Sequence, residues 1–281
     1  MKYFIGFFAL LILCNINVKS QDFISAKDFM AELKKNKELV VIDANTADNY
    51  GKRHVRGAIN IPHKELYNET EIKGLLKNPE ELAKYFGEKG VGNTDAIVVY
   101  DNGSGKFNSR VYWVLKYLGA ENVKLLHKDL EKSWRAARIP LISSPTKPKA
   151  KTFTVKLNNS IYATMADVKA GDAMLVDARS SGEYNGTSEK PVSKGHIPGA
   201  INIEYKEFLQ HNGNFKSKEE IEAVAKKHGL DPSKPVILYC ETSVRACPIF
   251  VALTSVGYGD VKVYDGAYNE WVTVPNNPIE K

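Results

Sequence analysis

His54-Val55-Arg56-Gly57-Ala58-Ile59-Asn60-Ile61 returns about 140 residues later as His196-Ile197-Pro198-Gly199-Ala200-Ile201-Asn202-Ile203. Other landmarks recur at a similar offset and in the same order. Val40-Val41-Ile42-Asp43-Ala44 reappears as Met174-Leu175-Val176-Asp177-Ala178, and Ala96-Ile97-Val98-Val99-Tyr100 as Pro235-Val236-Ile237-Leu238-Tyr239. Tyr117-Leu118-Gly119 matches Ser255-Val256-Gly257, and Trp134 matches Trp271. A period of this length is a duplicated domain and not a solenoid unit. Within each copy the short Val-, Ile-, Leu- and Tyr-rich runs are apolar throughout, as strands buried on both faces of a parallel sheet are. Between them lie segments with helical spacing, such as Ile221, Val224 and Ala225, or Trp113, Leu115, Tyr117 and Leu118 after Arg110. Strand and helix alternate, so each half is predicted to be an α/β domain with a central, mainly parallel sheet flanked by helices.

Working outward, Ser143-Ser144-Pro145-Thr146-Lys147-Pro148-Lys149 is polar, proline-rich and without periodicity, the composition of a linker. The expected organisation is a signal peptide at 1–20, a first domain at 21–141, a linker at 142–156 and a second domain at 157–281. Lys2 starts the chain with positive charge, Phe4 to Cys14 form an apolar stretch, and Val18-Lys19-Ser20 suits a signal peptidase. Cleavage after Ser20 leaves Gln21 first and implies an exported protein, periplasmic or secreted. The apolar run falls short of the about 20 residues that a membrane span needs, so no stable span is expected after processing. Leu13 precedes Cys14 where a lipidation signal wants a small side chain, so Cys14 is read as part of the discarded peptide.

The 281 residues are 43% hydrophobic and 26% charged, the composition of a globular protein. The formal charge of +6 is spread along the chain with acidic residues interspersed, which argues against a nucleic-acid partner. Cys240 and Cys247 are the only mature cysteines, too few for a disulfide framework. If Cys247 lies two turns into a helix starting after Cys240, a rise of about 1.5 Å per residue puts the pair near or beyond bridging distance. Cys247 is then read as a small buried helix residue, and Cys240 as a free, functional thiol.

Ligands of parallel α/β sheets bind beyond the carboxyl ends of the strands, so the turns after Tyr100 and Tyr239 are the ones to compare. The second reads Cys240-Glu241-Thr242-Ser243-Val244-Arg245 and leads into an apolar helix with Ile249, Phe250, Ala252 and Leu253. A cysteine there sits among unpartnered amides at the positive end of a helix dipole, and Arg245 adds a positive charge; all three favour the thiolate. The result is a nucleophile in an anion-binding cup. The first turn has Asp101 in place of the cysteine and, with Gly103, Gly105 and Lys106, is expected to lack a matching cup. Asn102-Gly103-Ser104-Gly105-Lys106 is not a phosphate loop, because Phe107 stands where Ser or Thr is needed and the glycine spacing is wrong. His54 and His196 have no partners at metal-ligand spacing and are given hydrogen-bonding roles, so neither metal nor cofactor is expected.

The doubled pattern of Asp-Ala-Arg, Glu-Tyr, Gly-His-Ile-Pro-Gly-Ala-Ile-Asn and Tyr-Cys-x4-Arg, ending in Gly-Ala-Tyr-Asn-Glu-Trp, resembles the tandem rhodanese family of sulfurtransferases from about Phe23 to Trp271. The resemblance implies a catalytically silent first copy and a second copy whose Cys240 takes the outer sulfur of thiosulfate, or sulfur from 3-mercaptopyruvate, as a persulfide. Cyanide or a thiol then removes it. It further implies that the loop residues Glu241, Thr242, Ser243 and Val244 cradle the persulfide and departing anion, and that Arg245 holds the small anionic donor. Arg179 lies in the pattern at the mouth of the same pocket, with a salt bridge to Glu183 as the equal alternative. Three positions depart from the pattern. Ser243 replaces a glycine common in relatives, which calls for a positive φ on a non-glycine residue or a different turn. Glu241 is acidic where several thiosulfate-using relatives are basic or neutral, and Glu183 replaces a substrate-binding arginine of mitochondrial-type enzymes. Two rivals remain: a phosphatase or arsenate reductase of related fold, which needs one more residue in the loop, and a noncatalytic binding module.

Overall fold

The computed structural model describes residues 22–127, 132–190, 192 and 194–281. The proposed signal peptide and Cys14 lie outside the described residues.

The first copy carries strands β1 (Phe23–Ile24), β2 (Val40–Asp43), β3 (His54–Val55), β4 (Ile59–Asn60), β5 (Ala96–Tyr100), β6 (Asn122–Leu126) and β7 (Leu141–Ile142). The second carries β8 (Tyr162–Ala163), β9 (Met174–Asp177), β10 (Ile201–Asn202), β11 (Val236–Tyr239) and β12 (Val261–Tyr264). Two five-stranded parallel sheets result, ordered β1-β6-β5-β2-β4 and β10-β9-β11-β12-β8, with β3 and β7 forming a small antiparallel pair. Both sheets are covered on both faces, which is why their central strands read as unbroken apolar runs. Val41, Val98 and Tyr100 face outward into a cluster with Phe29 and Trp134, while Val40, Ile42, Ile97 and Val99 face inward. Leu175, Ile237 and Tyr239 face outward in the second copy; Val176, Val236 and Leu238 face inward.

The helices of the first copy are α1 (Ala26–Lys35), α2 (Ala47–Lys52), α3 (Pro79–Glu88), α4 (Phe107–Tyr117) and α5 (Ser133–Ala137). Those of the second are α6 (Met165–Ala170), α7 (Ser181–Tyr184), α8 (Lys218–Lys227), α9 (Ala246–Ser255) and α10 (Ala267–Thr273). The two inward faces share one core, because α4 and α9, each following its central strand, pack against one another. This explains the composition of α9, whose residues from Ala246 to Leu253 are all buried. Pro248 is tolerated because it sits in the first turn, where its missing N–H has no intrahelical acceptor. Burying each large aliphatic or aromatic side chain of this core contributes about 1.5–3 kcal/mol.

Polar contacts fix the copies in register. Arg110 of α4 is fully buried and donates to Asp265 in the second copy at 2.5 Å and to the Gly74 carbonyl at 3.2 Å. The other oxygen of Asp265 accepts from the Leu76 amide at 3.0 Å, and Asn269 donates to the Lys73 carbonyl at 3.1 Å. Segment 73–76 is thereby held against the turn after β12 and the start of α10. Gly74 (φ 92) comes so close that a Cβ would stand 2.6 Å from that of Thr242, which only glycine permits. Between the copies the chain runs along the first, with the Lys151 amide on the Gly87 carbonyl, the Lys156 amide on the Leu118 carbonyl and Phe153 buried.

Candidate active site

Cys240 follows the last residue of β11 and is fully buried. The Arg245 amide, at the start of α9, donates to its sulfur at 3.2 Å. Among the described residues, the amides of Thr242, Ser243 and Val244 have no acceptor. Unaccepted amides around a sulfur at a helix N-terminus make an anion cup. The turn is made by Ser243 at φ 58, the left-handed conformation that glycine adopts freely. Its hydroxyl compensates by donating to the Tyr264 carbonyl at the end of β12, tying the loop to the neighbouring strand.

The Arg245 guanidinium is bidentate on Glu183, at 2.6 and 2.9 Å, and lies 3.4 Å from Glu241. Glu183 also accepts from the Ser180 hydroxyl at 2.8 Å and from Lys190 at 3.2 Å. Burial opposes its ionisation, but the hydrogen bonds and charge of Arg245 outweigh burial and hold the carboxyl well below its ordinary range. Arg245 moves the opposite way: burial disfavours its charge, and Glu183 more than restores it. Cys247 is different in kind. Its thiol is buried, donates to the Ser243 carbonyl at 3.2 Å and is pushed up to about 12 by burial, so it stays protonated.

Glu241, Thr242, Val244 and Arg245 line one cavity of about 510 Å³ together with Ser180, Glu183, Lys190, Glu204, Tyr205 and Lys206. The first copy supplies the facing wall through His63, Lys64, Lys106 and Phe107. His63 stacks on Phe107 at 4.4 Å and is held neutral, its pKa lowered to about 4 by burial and by the charges of Arg110, Lys64 and Lys106. The sequence did not mark these first-copy residues as part of the site. A signal for one was present, since Lys106 follows Asp101 by the same number of residues as Arg245 follows Cys240.

Two expectations are corrected. Arg179 neither lines the cavity nor bridges Glu183, which Arg245 has taken. It is buried, grips Asp177 at 2.5–3.0 Å and the Gly195 carbonyl at 2.7 Å, and lies 3.9 Å above the Tyr268 ring. Nor does the first copy lack a cup. The amides of Gly103, Ser104 and Gly105 converge on one Asp101 oxygen at 2.8–3.3 Å, and those of Phe107 and Asn108, with the Ser104 hydroxyl, on the other. The cup exists and is filled by its own carboxylate. Counted from Cα, a carboxylate oxygen of Asp101 is as many bonds away as the outer sulfur of a cysteine persulfide, so this copy shows how such a loop receives an anion at that reach. The two loops differ in detail, with positive φ at Gly103 and Gly105 in one and at Ser243 in the other.

Comparison with known proteins agrees with the doubled fold. The rhodanese-like domain family matches residues 25–137 and again 161–273. The chain is 33% identical to the thiosulfate sulfurtransferase of Rattus norvegicus over 233 residues, covering 79% of this chain and 78% of the relative. It is 32% identical to the 3-mercaptopyruvate sulfurtransferase of Homo sapiens over 232 residues, with the same coverage. Among solved structures, a 3-mercaptopyruvate sulfotransferase of Escherichia coli is similar with a TM-score of 0.79 and 28% identity, covering 88% of this chain and 99% of that one.

Proposed function

We propose that this chain, which belongs to the rhodanese family of sulfurtransferases, takes sulfur from thiosulfate or 3-mercaptopyruvate onto Cys240 and passes it to cyanide or a thiol. The observation that carries the reading is the Cys240 sulfur, met by the Arg245 amide at 3.2 Å inside a loop whose Thr242, Ser243 and Val244 amides have no acceptor among the described residues. In the first half-reaction the Cys240 thiolate attacks the outer sulfur of thiosulfate. The sulfur–sulfur bond breaks, sulfite leaves with the electron pair, and a persulfide remains. In the second, cyanide attacks the outer sulfur, forming thiocyanate and restoring the thiolate. The loop amides stabilise the charge that moves between the two sulfurs. Arg245 exchanges its carboxylate partners for the anionic donor, and Lys106 and Lys190 raise the potential at the mouth.

A donor panel on the purified protein tests this: persulfide formation with thiosulfate or 3-mercaptopyruvate supports the reading, and failure with both refutes it. The protein is also proposed to act outside the cytoplasm after cleavage behind Ser20. Amino-terminal sequencing from the native host should return Gln21 first, and a retained Met1 would overturn that localisation.

A further inference from the structure

On the outward face of the first copy, remote in sequence from the Cys240 loop, lies a cavity of about 400 Å³ lined by Arg53, His54, Tyr100, Trp134, Arg135, Arg138, Ile139 and Leu141. Its described lining carries three arginines and no carboxylate. Among the described residues, none of Arg53, Arg135 and Arg138 takes part in an ion pair. His54 is 1% exposed. Its ring stacks on Tyr50 with 3.7 Å between centroids, and its Nδ1 lies 2.7 Å from the Tyr50 carbonyl. A carbonyl only accepts, so Nδ1 carries the hydrogen and Nε2 is left as the free nitrogen. Among the described residues, that buried Nε2 has no hydrogen-bond partner. Buried polar atoms of this kind are rare because each costs about 1–3 kcal/mol when unmet.

The repeat shows what meets the same atom in the other copy. His196 stacks on Tyr184 at 3.6 Å with its Nδ1 3.0 Å from the Tyr184 carbonyl, reproducing the His54 arrangement. Its Nε2 faces the Glu280 carboxylate at 3.6 Å, brought there by the chain end, whose Glu280 backbone pairs with that of His196. The second copy therefore supplies its own carboxylate, whereas in the first the histidine shares its cavity with three arginines.

We propose that this cavity is a binding site for a small oxyanion, a carboxylate or a phosphate, held by Arg53, Arg135 and Arg138 with His54 Nε2 as its buried partner. Arginine suits the role because its planar fork matches both oxyanions. A proton on the bound oxyanion, or a second proton on His54, completes the bond to Nε2. Tyr100 and Trp134 wall the cavity, leaving room for an organic acid larger than the anion alone.

The test titrates full-length protein with inorganic phosphate and, separately, with succinate, by calorimetry and by nitrogen NMR of labelled histidines. Saturable binding in the about millimolar range or tighter by either probe is expected, and which probe binds tells phosphate from carboxylate. The His54 Nε2 resonance should move while that of His196 stays. Arg135→Ala with Arg138→Ala, both exposed on the surface, should weaken binding by about tenfold or more. Lys226→Ala with Lys234→Ala, the same charge change at exposed positions in the second copy, should leave it unaltered. Absence of saturable binding by both probes, an unmoved His54 resonance, or equal losses in the two double variants would overturn the proposal. Urea unfolding of the parent chain and of both double variants serves as the folding control throughout.

Discussion

Glu183→Gln should make the pocket a better site for thiosulfate while making the fold weaker. Arg245 now spends both of its outer nitrogens on Glu183, at 2.6 and 2.9 Å, so an anionic donor must displace that carboxylate and then sit beside it. A donor on Arg245 would lie about 5 Å from the Glu183 charge; at an effective dielectric of about 40, suited to an open cavity, the repulsion is about 3 kcal/mol for a dianion and half that for a monoanion. Salt and the neighbouring Lys190 reduce the effect to about 1.5 kcal/mol for thiosulfate, or about tenfold in affinity. The glutamine keeps the shape and one acceptor but leaves Glu241 as the carboxylate partner of Arg245, which should cost about 1–3 kcal/mol of stability. Glu183 has a depressed pKa when folded, so its contribution is present above its unfolded pKa and lost as pH falls through the folded value. The variant should therefore lose less stability than the parent on acidification below pH of about 4.5. The assay is the rate of persulfide loading against donor concentration, for thiosulfate and for 3-mercaptopyruvate, with urea unfolding at several pH values. If half-saturation by thiosulfate is unchanged or weakened, or if both donors gain equally, the competition between Glu183 and the donor is refuted.

Two other perturbations probe the loops. Ser243→Gly accepts the positive φ and loses only the hydroxyl bond to Tyr264, whereas Ser243→Ala loses the bond and keeps the strain; urea unfolding should rank alanine below glycine by about 1–2 kcal/mol. Asp101→Asn puts an amide against a ring of N–H donors and should lower stability by about 2–3 kcal/mol, measured the same way; a neutral result would mean that the first cup does not depend on its carboxylate.

Much of the architecture was legible because it is written in short-range pattern. Val40–Asp43 and Val236–Tyr239 are apolar at every position but one because sheets covered on both faces leave no polar side, and the repeat tells the reader to count two such sheets. The turn that brings Cys240 and Arg245 together was legible for the same reason, since strand, loop and helix are contiguous. Contacts between distant segments were not. Glu183 reaches Arg245 from 62 positions away, and nothing in its local sequence distinguishes Arg245 from Arg179 as its partner. The wall contributed by His63 and Lys106 depends on how α4 and α9 pack, which no local pattern encodes. The cup around Asp101 was misread because its glycines suggest a loose turn, when Gly103 and Gly105 supply the positive φ that aims successive amides at one carboxylate. The positive φ at Ser243, by contrast, was one of the two alternatives that the sequence left open there.

The central claim is that Cys240, and not Cys247, carries the sulfur. Intact-mass analysis of the protein after incubation with thiosulfate or 3-mercaptopyruvate tests it directly, in the parent chain and in Cys240→Ser and Cys247→Ser. The account predicts one added sulfur in the parent and in Cys247→Ser, removable by cyanide, and none in Cys240→Ser. An added sulfur that survives in Cys240→Ser, or that disappears in Cys247→Ser while the fold is intact, would contradict it.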